Sequence, residues 1–202
     1  MEKFKCKDCG QEKTKTEMCT ESRLKNGINR QCKKCRSAKR YKNGEYTRER
    51  IRKYGYRSAD ANNIVMITPA EMDEIAKQKH CTYCGDEMSP VNGLPNSMTA
   101  DHVYPIGDSM NGYGAANLAF NIVPCCRSCN SRKGERHVYE FYQTYDKFTP
   151  ERWQTFLRGF TEKLFKKPQS DRSLELTTQG MALEVKDLVK WRKKQADKAV
   201  SD

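Results

Sequence analysis

Cys81-Thr82-Tyr83-Cys84 and, 41 residues further on, Cys126-Arg127-Ser128-Cys129-Asn130-Ser131-Arg132-Lys133-Gly134 decide how the middle of this chain folds. Each CxxC turn presents two sulfurs to one point, and two such turns supply the four soft ligands that a tetrahedral Zn²⁺ takes. An insert of 41 residues is long for a simple finger, so it needs organisation of its own. It carries Asp101-His102 within Thr99 to Val103, which reads as a short strand, and Asn121 to Val123, which reads as another. A zinc at the base would fix both ends of the insert and so hold its polar groups without a large core. Cys125 adjoins Cys126, but only Cys126 makes CxxC with Cys129. Cys125 is therefore expected to be a packed side chain, with a register swap as the alternative.

The same device stands at the start of the chain. Cys6-Lys7-Asp8-Cys9 and Cys32-Lys33-Lys34-Cys35 are separated by 22 residues, with Asn26-Gly27 as a turn signal between them. That spacing suits a zinc ribbon or knuckle. Cys19 is left over and is expected to be a buried or free thiol. Eight of the ten cysteines thus fall into CxxC pairs. No apolar segment follows Met1, so thiolate–metal sites in a reducing, cytoplasmic compartment are favoured over disulfides, and no transmembrane span is expected. With 36% hydrophobic and 32% charged residues, 202 residues are lean for one large core, which favours small zinc-stabilised α+β modules.

Charge is uneven. Residues 1–60 hold 19 Lys/Arg against 8 Asp/Glu, whereas 61–202 hold 19 against 18, so the N-terminal third carries nearly all of the net +12. A polyanion is its natural partner, since lysine and arginine release condensed counterions from nucleic acid. Lys33, Lys34, Arg36, Lys39, Arg40, Arg48, Arg50, Arg52 and Lys53 are the candidate DNA contacts there, with Lys133 added from the central segment. Tyr41, Tyr46, Tyr54 and Tyr56 lie between these cations, where they can stack on sugars or bases in a basic arm that also serves as linker. Residues 68–136, by contrast, hold 6 Lys/Arg and 8 Asp/Glu and so cannot supply the electrostatics of binding.

Helical segments flank the insert. Thr68-Pro69-Ala70-Glu71 is a helix start with a threonine N-cap, proline at N1 and glutamate at N3, and the helix is expected to run to about Lys79 with Met72, Ile75 and Ala76 inward. A helix beginning after Cys126 is expected to continue through Val138, Phe141 and Tyr142. Thr149-Pro150-Glu151 starts another, with Trp153, Phe156, Leu157, Phe160 and Leu164 on one apolar face. A last helix is expected from about Met181 to Ala199, and its pattern leaves open whether it docks on the core, dimerises or touches DNA.

Residues 81–134 resemble the HNH endonucleases, in the manner of phage and intron-type homing enzymes. The resemblance rests on Cys81-Thr-Tyr-Cys84, Asp101-His102-Val-Tyr-Pro105-Ile-Gly107, Asn121-Ile-Val-Pro124 and Cys126-Arg-Ser-Cys129-Asn130-Ser-Arg-Lys133-Gly134. It implies a central ββα-metal core in which His102 is the general base. Asp101 and Asn130 hold one Mg²⁺ or Mn²⁺, and Asn121 braces the loop and orients His102. The residue types suit these roles: an imidazole titrates near neutrality, and oxygen donors prefer a hard hydrated ion while cysteines select zinc. The last position is Asn130 and not histidine, an H-N-N variant. Asn117 competes with Asn121 as the middle asparagine; Asn121 is preferred because Asn-Ile-Val-Pro runs straight into the cysteine pair. The loop Gly107 to Gly114 is expected to be mobile or DNA-facing.

The expected organisation is an N-terminal zinc module (1–36), a basic arm (37–67), a nuclease core (68–145) and a C-terminal helical region (146–202). Cofactors would be two structural Zn²⁺, Cys6/Cys9/Cys32/Cys35 and Cys81/Cys84/Cys126/Cys129, and one catalytic divalent ion. Double-stranded DNA would be the partner, in a bacterial or phage-infected cell and with a phage or host DNA-processing protein as a further possibility. A zinc-dependent DNA-binding or scaffolding protein with an inactive core is the alternative.

Overall fold

The computed structural model describes residues 2–43, 45, 46, 49, 52, 53, 67–105 and 118–199. Among them the chain is a mixed α+β protein whose sheets are all two-stranded and antiparallel. None of the three can form a core alone, so cysteine clusters and helices must supply what the strands cannot.

β1 (Lys3–Lys5) pairs with β2 (Glu12–Thr14), and β3 (Met18–Thr20) with β4 (Ile28–Cys32). The tight turn after Cys6 closes with Gly10 N–H donating to the Cys6 carbonyl at 2.9 Å, and Gly10 sits at φ +69°, which favours glycine. α1 (Lys33–Lys42) starts at once, with Cys32 as its N-cap and the Cys32 sulfur accepting from Cys35 N–H at 3.4 Å. A module boundary at residue 36 would cut this helix, so the zinc module and the basic arm are continuous.

The arm does not hang free. Tyr41 donates its hydroxyl to the Ala76 carbonyl at 2.5 Å and also meets Met98 Sδ, and Tyr41 stacks on Tyr46 at 4.9 Å between centroids. These two rings, expected to stack on sugars or bases, instead pack the arm against the central unit. Tyr54 and Tyr56 lie outside the described residues.

α2 (Pro69–Lys77) follows its signal closely. Thr68 and Glu71 form the capping box, and Met72, Ile75 and Ala76 are the buried residues. β5 (Met98–His102) and β6 (Ile122–Cys126) pair with Asp101 opposite Val123 and His102 opposite Ile122. Asn121 lies just before β6, at the end of a 3₁₀ turn spanning Ala119–Asn121.

The helix after Cys126 is two helices, not one. α3 (Arg127–Lys133) stops at Gly134, whose φ of +56° suits a residue without Cβ, and α4 (Val138–Thr144) starts anew from His137, whose Nδ1 accepts from Tyr139 N–H at 3.1 Å. α5 (Pro150–Phe165) buries Trp153, Phe156, Leu157 and Phe160 as its periodicity requires. Leu164, expected on that face, is 39% exposed because the helix has by then passed the edge of the core. α6 (Asp171–Ala199) begins ten residues earlier than its apolar pattern suggested. Leu174, Met181 and Leu188 recur at seven-residue spacing as its buried seam, and polar bonds dock it on the rest. Trp153 Nε1 donates to Thr178 Oγ1 at 3.1 Å, and Arg192 pairs with Glu140 at 3.2 Å. Docking is thus the outcome that the sequence left open. No helix among the described residues is long and apolar enough to cross a membrane.

The main core is aromatic. Tyr83 meets Phe141 and Phe148 edge-on at 5.3 and 5.1 Å, and Phe148, Trp153 and Phe156 extend the cluster into α5. Phe141, fully buried at its centre, is expected to cost about 3–5 kcal/mol when replaced by alanine. Leu164→Ala should stay within about 0.5 kcal/mol. Chemical denaturation of the two variants checks the contrast.

Candidate metal and active site

The cysteines assemble as the spacing predicts. The sulfurs of Cys6, Cys9, Cys32 and Cys35 lie within 4.8 Å of one another, as do those of Cys81, Cys84, Cys126 and Cys129. The Cys84 and Cys126 sulfurs are 3.9 Å apart, close to the edge of about 3.8 Å expected of a tetrahedron with metal–sulfur bonds of about 2.3 Å. Each quartet can therefore hold a zinc ion.

Their protonation is prepared for a cation. Backbone N–H groups of Cys9 and Cys32 lower the Cys6 thiol to about 6. A hydrogen bond from Cys129, reinforced by the N–H groups of Cys84 and Cys126, lowers Cys81 to about 5. Their partners move the other way: burial pushes Cys84 up to about 12, and bonding to Cys81 pushes Cys129 up. Each quartet thus contains one thiol that ionises readily, as a metal-binding thiolate must.

Cys125 is fully buried outside the quartet, its thiol pushed up by burial, and Cys19 is buried outside the first quartet. His80 is exposed, with Nδ1 3.2 Å from the Gly85 carbonyl, and joins neither cluster.

The second quartet leads directly to the polar set. Tyr83, inside the first CxxC, donates its hydroxyl to Asp101 Oδ2 at 2.6 Å. Burial, then the Asp101 charge, hold the Tyr83 hydroxyl well above its ordinary pKa, so it stays a donor. Asn130, next to Cys129, donates its amide to Thr99 Oγ1 at 3.0 Å and to the Ala100 carbonyl at 3.3 Å. Since a carbonyl only accepts, the NH₂ faces β5 and the amide oxygen takes part in neither bond. One turn later Lys133 donates to the His102 carbonyl at 2.8 Å and lies 3.1 Å from Asp101 Oδ2.

Asn121 is 1% exposed and grips the chain just past His102. Its Oδ1 accepts from Tyr104 N–H at 2.8 Å and its Nδ2 donates to the Tyr104 carbonyl at 3.2 Å. Its backbone carbonyl also accepts from Val103 N–H at 2.9 Å. This two-way clamp is what a loop-bracing asparagine requires; Asn117 and the loop 106–117 lie outside the described residues. Asp101 and His102 are 6% and 7% exposed at the end of β5. Asp101 and His102 are thus successive residues of one strand, and Asn130 of α3 is bonded to Thr99 and Ala100 just before them.

The cations divide. Lys33, Lys34, Arg36 and Lys39 are exposed on α1, and Arg52 and Lys53 are exposed further along. Arg40 is tied to Glu45 and Glu49, which leaves less of its charge for a phosphate. Arg48 and Arg50 lie outside the described residues. Lys133 corrects the sequence reading: it is 1% exposed with its ammonium turned onto Asp101 and His102, so it faces the interior and not a phosphate.

Residue-type reasoning passed over Tyr83, Thr99, Tyr104 and Glu184. Tyr83 carried a signal, a large side chain with a polar tip inside a metal knuckle. Glu184 carried none; it accepts from Tyr104 Oη at 3.2 Å and meets His137 Nε2 at 3.2 Å across 80 and 47 residues of chain.

Metal analysis should find two zinc per chain. Cys126→Ala is expected to lose one of them, and Cys125→Ala to keep both while losing some stability from the vacated core volume.

Residues 81–136 match the family model described as HNH endonuclease. Comparison with curated proteins and with solved structures gives no significant match. The segment that the second quartet ties together is thus similar to the HNH endonuclease family.

Proposed function

We propose that this protein is a metal-dependent DNA endonuclease that hydrolyses phosphodiester bonds of duplex DNA, by a nick or a double-strand cut. The observation that carries the proposal is the packing of α3 on β5, which bonds Asn130 to Thr99 and Ala100, the residues that precede Asp101 and His102, in a segment that matches the HNH endonuclease model. The two strands and α3 would be the ββα-metal unit.

In this reading His102 takes a proton from water as it attacks phosphorus. Asn121 sets the direction of His102 by fixing the backbone two residues on. Asp101 and the Asn130 amide oxygen would hold one Mg²⁺ or Mn²⁺. That ion, when bound, supplies positive charge for the phosphate and the departing 3′ oxygen. Zinc in the two quartets is structural, since four sulfurs close the coordination sphere. Grip comes from the N-terminal region, where Lys33, Lys34, Arg36 and Lys39 present an exposed cationic face on a helix whose start is fixed by the first quartet.

A zinc-dependent DNA-binding or scaffolding role, with cleavage absent or dependent on a packaging partner, is the second reading. It draws on the engagement of Asp101 Oδ2 by both Tyr83 and Lys133. It expects salt-sensitive DNA binding with no cutting in Mg²⁺ or Mn²⁺.

His102→Ala is expected to slow cleavage of supercoiled plasmid by about 10²–10⁴-fold with both zinc sites intact; cutting at the parent rate would exclude His102 as the base. Neutralising Lys33, Lys34, Arg36 and Lys39 together should weaken duplex binding without regard to sequence. It should also flatten the slope of log affinity against log salt by up to about 4, as a salt titration would record.

A further inference from the structure

Lys133 is a fully buried ammonium placed on the residues that the proposed chemistry needs most. Its side chain has no exposure, against 8% for Asp101, and the two charges are 3.1 Å apart. A lysine with no solvent access is costly unless it is paired and hydrogen-bonded. Here Asp101 Oδ2 supplies the charge and the His102 carbonyl, at 2.8 Å, supplies the bond. Oδ2 also accepts from Tyr83 at 2.6 Å, so one oxygen of the carboxylate takes two donors while Oδ1 takes part in neither bond.

The consequence is electrostatic. Asp101 is the one carboxylate of the two proposed ion ligands, and its charge is already matched by a resident cation. An incoming divalent ion meets an Asp101 whose charge is already balanced by a unit positive charge touching the same carboxylate. Even with screening as strong as that of water, such a neighbour weakens ion binding by about tenfold. A DNA phosphate at the site would restore the missing negative charge.

We infer that Lys133 is a positioning residue and counter-cation that holds the free protein's affinity for the divalent ion low, so that ion loading depends on DNA. Tyr83 assists by taking the second bond to Oδ2, which leaves Oδ1 as the oxygen offered to the ion. Lys133 at the same time fixes His102 through its carbonyl, so the residue that tunes the ion also holds the base in register. The inference rests on the assignment of Asp101 and Asn130 as ion ligands.

The test measures Mn²⁺ binding to the zinc-loaded full chain without DNA, from the spectroscopic signal of free Mn²⁺, and so does not depend on cleavage. Lys133→Met is expected to tighten Mn²⁺ binding by about tenfold, and Tyr83→Phe to tighten it by less. Asp101→Asn should abolish saturable binding, alone or combined with Lys133→Met. If Lys133→Met keeps two zinc ions and the parent circular dichroism but binds Mn²⁺ no more tightly, the inference is overturned, while loss of binding in Asp101→Asn would leave the ion site standing. If Asp101→Asn binds as the parent does, the ion assignment fails and the inference with it. Should Lys133→Met not retain its zinc, Tyr83→Phe decides: unchanged affinity overturns the inference.

Discussion

Everything in the central unit hangs on four sulfurs, those of Cys81, Cys84, Cys126 and Cys129. A two-stranded sheet has too little surface to fold by itself, and β5 and β6 are joined through a long insert. The quartet removes that difficulty by fixing at one point the two ends of the segment 85–125, which carries β5 and the start of β6. It also aims the side chains next to its ligands. Tyr83 lies between the first pair of cysteines, and Asn130 and Lys133 leave the second pair on one face of α3. Three of the contacts made to β5 around Asp101 therefore begin within four residues of a cysteine ligand.

The fit of α3 on β5 comes from helix geometry. Positions 130 and 133 are three residues apart and so share a face. Along β5 they meet successive residues, Thr99 and Ala100 for Asn130, then Asp101 and His102 for Lys133. A helix sliding by one turn would strand a buried ammonium and an amide, which sets a steep penalty against other registers. The quartet gives the helix its position, and these polar bonds give it its rotation. Asn121 does the same for the loop that leaves β5, by replacing a missing strand partner at Tyr104 with both ends of its amide.

What the sequence disclosed depended on how local each constraint is. CxxC spacing and capping signals act over three or four residues, so the quartets, the start of α2 and the start of α5 were all legible. The break at Gly134 was less so, because apolar positions Val138 and Phe141 keep helical phase across it while the backbone does not. The early start of α6 was hidden because its first three turns bury little beyond Leu174. Lys133 was misjudged for a different reason. A lysine beside Arg132, one turn past Asn130, looks like a phosphate contact, and only the fold shows that its partner is Asp101, 32 positions earlier. The same holds for Glu184, which meets Tyr104 and His137 only after α6 has folded back on the core.

The proposed separation of grip from chemistry would follow physically from the buried Asp101–Lys133 pair. A site that must hold a divalent ion next to a phosphate gains nothing from a strongly cationic surface, which would repel the ion, nor from a strongly anionic one, which would repel the DNA. Cancelling Asp101 with Lys133 keeps the central unit close to neutral, in line with its slight acidic excess over residues 68–136. Attraction for a polyanion must then come from elsewhere in the chain. α1 can supply it because Cys32 and Cys35 fix its start and Tyr41 anchors it to α2 and β5. In the proposed endonuclease, a cationic helix joined to a near-neutral core would let phosphate binding raise the local concentration of DNA without disturbing the divalent ion.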